Sequence, residues 1–188
     1  MPTETAIFVN DFDDYLKCLQ KHQLERTQDV LIVALGEKKL VHYKGMDVQE
    51  TYPVSYGKNP RSCQEGSEGT PWGLHEIADK IGDGAPTGMI FTGRVPAGEC
   101  WHERPDAGPQ QRNFVTTRIL RLGGLEEGLN AGGTVDSYDR YIYIHGTNHP
   151  EVFPENISSG CLLMLDDALI QLFNSIEQGS HVWISPPK

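Results

Sequence analysis

Short runs of β-branched and aromatic residues, each closed by glycine, proline or a polar cluster, set the tightest limit on what this chain can become. Val30 to Leu35, Leu40 to Tyr43, Val48 to Tyr56, Leu74 to Ile81, Met89 to Val95, Phe114 to Leu122, Tyr138 to Ile144 and His181 to Ile184 all read as strands. Gly36-Glu37-Lys38-Lys39 is a turn that makes a hairpin of the first two. Two segments have helical spacing instead. Asp11 to Arg26 repeats apolar residues at Phe12, Tyr15, Leu16 and Leu19, and Asp166 to Glu177 opens on two aspartates and is followed by Gly179. Strands do not alternate with helices, so no βαβ rhythm exists. The expected fold class is mainly β, a curved mixed sheet or β-sandwich, with a helix near its C-terminal end.

The connections are informative as well. Lys58 to Gly69 is polar and rich in Gly and Ser, which predicts a mobile loop. Pro96 to Gln111 has several Pro and Gly residues and no periodicity, so it reads as a long loop, either a lid or an inert excursion. Gly123 to Ser137 is a Gly-rich connection.

At 188 residues with a net charge of −10, one domain with a real core is expected, and binding to a phosphate backbone is not. No apolar stretch approaches the roughly 20 residues of a membrane span. Met1 to Asp14 is acidic and polar, with no basic and apolar signal-peptide pattern visible. Cys18, Cys63, Cys100 and Cys161 form no close-spaced pair, which predicts free thiols rather than a disulfide framework.

Chemistry concentrates in one stretch. Tyr141-Ile142-Tyr143-Ile144-His145-Gly146-Thr147 delivers a histidine at a strand end, and Ser158-Ser159-Gly160-Cys161 follows after a loop. A thiolate is a strong nucleophile, and a neighbouring imidazole can generate it. Gly160 lets the chain turn so that backbone amides face a developing oxyanion. The gap from His145 to Cys161 is 161 − 145 = 16 residues with histidine first, unlike the papain and caspase arrangements. His149 with His145 and Cys161 offers a zinc set. However, Gly146, Thr147 and Pro150 break the helix on which such a histidine pair holds one ion, so no metal or other cofactor is expected at this site. Cys100-Trp101-His102-Glu103 has ligand-type residues without a second cluster. His22, His42, His75 and His181 read as ordinary strand or surface histidines.

Taken together, His145-Gly146-Thr147 and Ser158-Ser159-Gly160-Cys161-Leu162-Leu163-Met164 resemble the signature of the YkuD-type L,D-transpeptidase catalytic domain, a family of peptidoglycan-modifying cysteine enzymes. Tyr52-Pro53-Val54-Ser55 with Gly57-Lys58, Thr70-Pro71 with Gly73, and the stretch from Asp166 to Ile184 are similar to further family elements. The resemblance divides the chain into an N-terminal helical extension, 1–28, and a catalytic domain, 29–188. It implies the fold of that family, with Cys161 as nucleophile, His145 as general base and the Gly146 carbonyl orienting the imidazole. Gly160, Ser159, Ser158 and Thr147 would line the oxyanion and substrate site, although Ser158 and Thr147 have local turn roles as an alternative.

The implied activity is acyl transfer on peptidoglycan stem peptides through a Cys161 thioester. Water as acceptor would instead give an L,D-carboxypeptidase or hydrolase, and a degenerate member would bind wall peptides without cutting them. The implied partners are stem peptides and carbapenem-type inhibitors, with no nucleic acid, and the implied location is the cell envelope or periplasm. Two positions depart from the common pattern. Ser159 replaces a frequent histidine, and Leu163 stands where most members have arginine. Leucine cannot bind carboxylate as a guanidinium fork does, so slow acylation is expected, sped by Leu163→Arg if the leucine merely weakens carboxylate recognition.

Overall fold

The structure is a computed structural model that describes residues 4–104 and 113–187, with side chains from residue 10 onward. A helix, α1 (Glu4–His22), precedes the strands β1 (Asp29–Ala34), β2 (Lys39–Lys44), β3 (Asp47–Pro53), β4 (Gly73–Ile81), β5 (Met89–Thr92), β6 (Val95–Cys100), β7 (Val115–Gly124), β8 (Tyr143–Gly146) and β9 (Leu162–Met164). A second helix, α2 (Asp166–Ser175), and a last strand, β10 (His181–Ile184), complete the chain. The strands form one mixed sheet in the order β3-β2-β1-β10-β4-β7-β5-β6, from which β8 and β9 branch off β7. The fold is thus mainly β, with a helix that follows the cysteine after the short strand β9.

Alternation decides which core each side chain joins. In β1, Leu31 and Val33 enter a core with residues of β4, β7, β8, β9, β10 and α2, whereas Val30, Ile32 and Ala34 face Phe12, Tyr15, Cys18 and Leu19 of α1. A strand buried on both faces reads as a continuous apolar run, as Val30 to Leu35 does. The sheet is therefore sandwiched between α1 on one side and the α2 layer on the other. Helix α2 buries Leu169, Leu172 and Phe173. Its first residue, Asp166, accepts hydrogen bonds from Thr117 Oγ1 and, at 3.3 Å, from Trp101 Nε1.

The hairpin of β1 and β2 pairs antiparallel, as its turn predicts. Several boundaries differ from those read in the sequence, among them those of α1, read as 11–26 and found at Glu4–His22, and of β3, read as 48–56 and found at Asp47–Pro53. The run from Met89 does not continue to Val95. It turns at Gly93-Arg94, both at positive φ, and returns as β6 through Val95, Pro96, Ala97 and Gly98. A proline is tolerated there because β6 lies at the sheet edge. Pro96 to Cys100 is consequently strand rather than loop, and the part of that predicted loop covering 105–111 lies outside the described residues. β8 begins at Tyr143 instead of Tyr138, because Tyr138 to Tyr141 form a turn in which Tyr141 adopts φ 58°. The 58–69 loop is tied down by Arg140, as described below.

Candidate active site

β7 supplies the platform. β8 pairs with it antiparallel, Ile119 opposite His145, and with β9 in parallel, Ile144 opposite Leu162 and His145 opposite Leu163. Tyr143 and His145 lie two apart in β8, and so do Cys161 and Leu163 along the neighbouring segment. By the period of two, Cys161 and His145 stand on the same face of adjacent strands, diagonal to one another.

His145 is 2% exposed, and its Nδ1 lies 2.7 Å from the Gly146 carbonyl oxygen. Since a carbonyl only accepts, Nδ1 carries the proton and Nε2 is left as the acceptor. Burial pushes the imidazole pKa down to about 4, against the opposing pull of the Gly146 hydrogen bond. Gly146 has to be a glycine, because a Cβ would come within 2.6 Å of Thr116 Oγ1 and 2.7 Å of Asp166 Oδ1.

The Cys161 sulfur is partly exposed. It accepts from the Tyr143 N–H at 3.4 Å and donates to the Tyr141 carbonyl at 3.5 Å. Desolvation pushes the thiol up to about 11, moderated by the Tyr143 N–H bond and the positive charge of Arg140. Desolvation thus favours the neutral form of both the thiol and the imidazole. Gly160, at φ 111°, delivers the sulfur. A Cβ there would stand 3.0 Å from the Gly69 carbonyl oxygen and 3.3 Å from Ile142 Cδ1, so the turn has room only for glycine.

The other predicted residues occupy the surrounding turns. Ser158 is buried, and its Oγ donates to the Cys161 carbonyl at 2.5 Å. Its backbone carbonyl accepts from the Lys58 N–H at 3.0 Å. Ser159 is exposed beside the sulfur-bearing turn. Thr147 is buried, and its Oγ1 accepts from the His149 N–H at 3.0 Å, closing a local turn. His149 is occupied by Asn148 at 3.1 Å and Glu151 at 3.3 Å.

Leu163 is fully buried, its backbone exchanging hydrogen bonds of 3.0 and 2.9 Å with Ser55. A guanidinium at 163 would sit in the protein next to His145 rather than reach a ligand. The expectation that Leu163→Arg speeds acylation is therefore revised for this chain.

Five residues of this neighbourhood carry no local signal in the sequence. Arg140 donates to the carbonyls of Ser62 (3.2 Å), Cys63 (2.8 Å) and Gly69 (2.8 Å), pinning the 62–69 loop against the Gly160 turn. Arg94, at the tip of the β5–β6 hairpin, donates to Tyr143 Oη at 3.2 Å and lies over the Tyr141 ring, 5.1 Å from its centroid. It is a guanidinium next to the thiol-bearing strands. Glu65, Glu68 and Asp139 line a cleft with Arg140, Tyr141 and Ser159.

The comparison with known proteins agrees with this geometry. A family model for the L,D-transpeptidase catalytic domain matches residues 28–184. The chain belongs to the L,D-transpeptidase catalytic-domain family. Over 65 residues it is 40% identical to the Bacillus subtilis protein named "Putative L,D-transpeptidase YqjB", a match covering 34% of this chain and 35% of that protein. Its fold is similar to that of an L,D-transpeptidase from Mycobacterium smegmatis, with TM-score 0.52 and 14% identity, over 85% of this chain and 59% of the other. It is also similar to L,D-transpeptidase 3 from Mycobacterium tuberculosis in complex with a faropenem-derived adduct, with TM-score 0.51 and 15% identity, over 85% and 60%. The chain thus spans less than two thirds of the length of these relatives. Among the described residues no helix is long and apolar enough to cross a membrane.

Proposed function

We propose that this domain transfers acyl groups of peptidoglycan stem peptides through a thioester on Cys161, with His145 as general base, in the cell envelope. The observation that carries the reading is the orientation of His145. Its Nδ1–H is committed to Gly146, so the remaining nitrogen is a proton acceptor on the face that also bears the thiol.

In the acylation step, His145 Nε2 takes the Cys161 proton as the sulfur attacks the carbonyl carbon of the donor amide. The amides of Gly160 and Cys161, with Ser159, would receive the oxyanion, and Gly160 at positive φ is the residue type that permits such a turn. Collapse breaks the carbon–nitrogen bond, and the leaving amine departs with the proton held by His145. An acceptor amine then attacks the thioester, passing its proton to His145. The sulfur leaves as thiolate and recovers that proton, while a new amide is formed.

Desolvation of buried His145 and of the partly exposed thiol fits this order, because neither charge has to persist in the resting site. The carboxylates of Glu65, Glu68 and Asp139 in the cleft at Ser159 suit an incoming amine, which travels as an ammonium ion. That feature favours transpeptidation over hydrolysis. The faropenem-derived adduct of a protein with the same fold supports β-lactams as covalent ligands of this thiol.

The test is incubation with purified muropeptides and mass spectrometry of the products. Cross-linked dimers are expected from the wild type and none from Cys161→Ala. His145→Gln should lower acylation by roughly 10²–10⁴-fold. Products undiminished in Cys161→Ala would remove the thioester from the mechanism.

A further inference from the structure

We propose that Cys18, His22 and Glu126 hold a divalent cation of the zinc type, bound through the cysteine sulfur, His22 Nε2 and Glu126 Oε2. The three ligand atoms lie within 4.8 Å of one another, away from the catalytic strands. Cys18 and His22 are four apart in α1, which puts both on one face of the helix, directed at the segment after β7. Metal–ligand bonds of about 2.0–2.3 Å place the donors of a tetrahedral ion roughly 3.3–3.7 Å apart. His22 Nε2 and Glu126 Oε2 are already 3.3 Å apart, so only a small swing of the Cys18 side chain is required.

Three further features prepare this place for a cation. His22 Nε2 is buried and faces Glu126 Oε2 at 3.3 Å without an aligned hydrogen bond, although the ring's side chain is 26% exposed, so a ligand atom is aimed inward at the carboxylate. The Glu126 carboxylate is fixed from behind. Its Oε1 accepts from the Leu74 N–H at 2.7 Å, and the Glu126 N–H is bound by Asn130 Oδ1 at 3.0 Å, an outer layer of the kind that orients a metal ligand. Gly73 makes the space, since a Cβ there would stand 2.4 Å from Oε1.

The donor set of sulfur, imidazole nitrogen and one carboxylate oxygen selects a borderline-soft ion over magnesium or calcium, which prefer oxygen alone. Binding releases the Cys18 proton to solvent. The thiolate and carboxylate then balance the two positive charges, with water as the fourth ligand on the exposed side of His22. The ion joins α1, which lies outside the matched range 28–184, to the segment that follows β7 inside it. Its role is accordingly to fasten a helix and not to assist the thiol chemistry.

Cobalt(II) added to chelator-treated Cys161→Ala protein provides the test, because that background removes the catalytic thiol as a competing ligand. One equivalent should produce a thiolate-to-cobalt band in the near ultraviolet and tetrahedral absorption in the visible, both displaced by zinc. Cys18→Ser should abolish the near-ultraviolet band, and His22→Gln should weaken cobalt affinity at least tenfold. Zinc should raise Tm in the parent and leave it unchanged in Cys18→Ser. His22→Gln changes a partly exposed residue, so its folding is secure even if Glu126→Gln disturbs the Leu74 contact. Absence of a saturable cobalt signal in the folded parent, or a signal that survives Cys18→Ser, overturns the site. β-lactam acylation of wild-type Cys161 is measured separately, so failure of the metal site leaves the proposed activity standing.

Discussion

The backbone N–H of Tyr143 reaches the sulfur of Cys161 at 3.4 Å, so the strand that carries His145 also touches the thiol. That bond and the charge of Arg140 favour the thiolate, yet burial outweighs both and leaves the thiol at about 11. With His145 down at about 4, no imidazolium is present at neutral pH to hold a thiolate. In the proposed mechanism, activation therefore has to accompany substrate attack.

Alkylation of Cys161 by iodoacetamide should accordingly show no plateau near neutrality. A thiol pKa raised to about 11 means that the thiolate fraction grows about tenfold for each pH unit between 7 and 10. The rate should follow, measured by intact mass in a Cys18→Ser, Cys63→Ser, Cys100→Ser background. A profile that levels off below pH 8 would reveal a preformed thiolate–imidazolium pair.

Arg140→Ala should damage the site without touching the reacting atoms. The side chain satisfies carbonyls of Ser62, Cys63 and Gly69, and Gly69 in turn abuts the Gly160 turn. Leaving buried acceptors unpaired costs about 1–3 kcal/mol, and the loop should part from the sulfur-bearing turn. Denaturant midpoints should fall, and β-lactam acylation should slow more than tenfold, with Arg140→Lys recovering part of it.

For Leu163→Arg the expectation is loss. The position has no exposure and lies opposite His145 in the register, so a guanidinium there is an uncompensated buried charge worth about 3–5 kcal/mol. Thermal unfolding should shift down and acylation by faropenem should not improve. Arg94, by contrast, is a surface guanidinium bonded to Tyr143, and Arg94→Ala should weaken acylation by carboxylate-bearing ligands with little effect on Tm.

Acid should destabilise the fold before its carboxylates titrate. His75 and His145 are both pushed down to about 4 by burial, below the ordinary value near 6.5. Between those limits the unfolded chain binds protons that the folded chain refuses, so stability present above pH 6.5 is lost as the pH falls toward 4. The slope approaches about 1.4 kcal/mol per pH unit for each histidine. Urea midpoints from pH 7 to pH 4.5 should show it. A flat curve would mean that these rings take up protons in the folded state.

What the sequence made legible was local. The β1–β2 hairpin, β4, β7, α2 and the placing of His145 at a strand end follow from alternation, turn residues and short spacing. Strand β6 was hidden because Val95, Pro96, Ala97 and Gly98 have loop composition, and only their place at the sheet edge makes them a strand. The start of β8 was misplaced because alternation from Tyr138 onward continues through a turn that Tyr141 completes at positive φ. Arg140 and Arg94 owe their places to contacts 71–78 and 49 residues distant in the chain, and Glu126 meets Cys18 only after the sheet has formed. Contacts of that range leave no period to read.

Helix α1 gives the boundary of the family match a physical meaning. The family match covers residues 28–184, but apolar packing crosses its N-terminal edge. The outer faces of Val30, Ile32, Val41, Tyr43 and Trp183 are covered by Phe12, Tyr15 and Leu19. A chain trimmed to the matched range would present that apolar patch to water and to its neighbours, inviting self-association while the catalytic strands stayed in register. The stretch that the family model matches is smaller than the stretch whose apolar faces are covered.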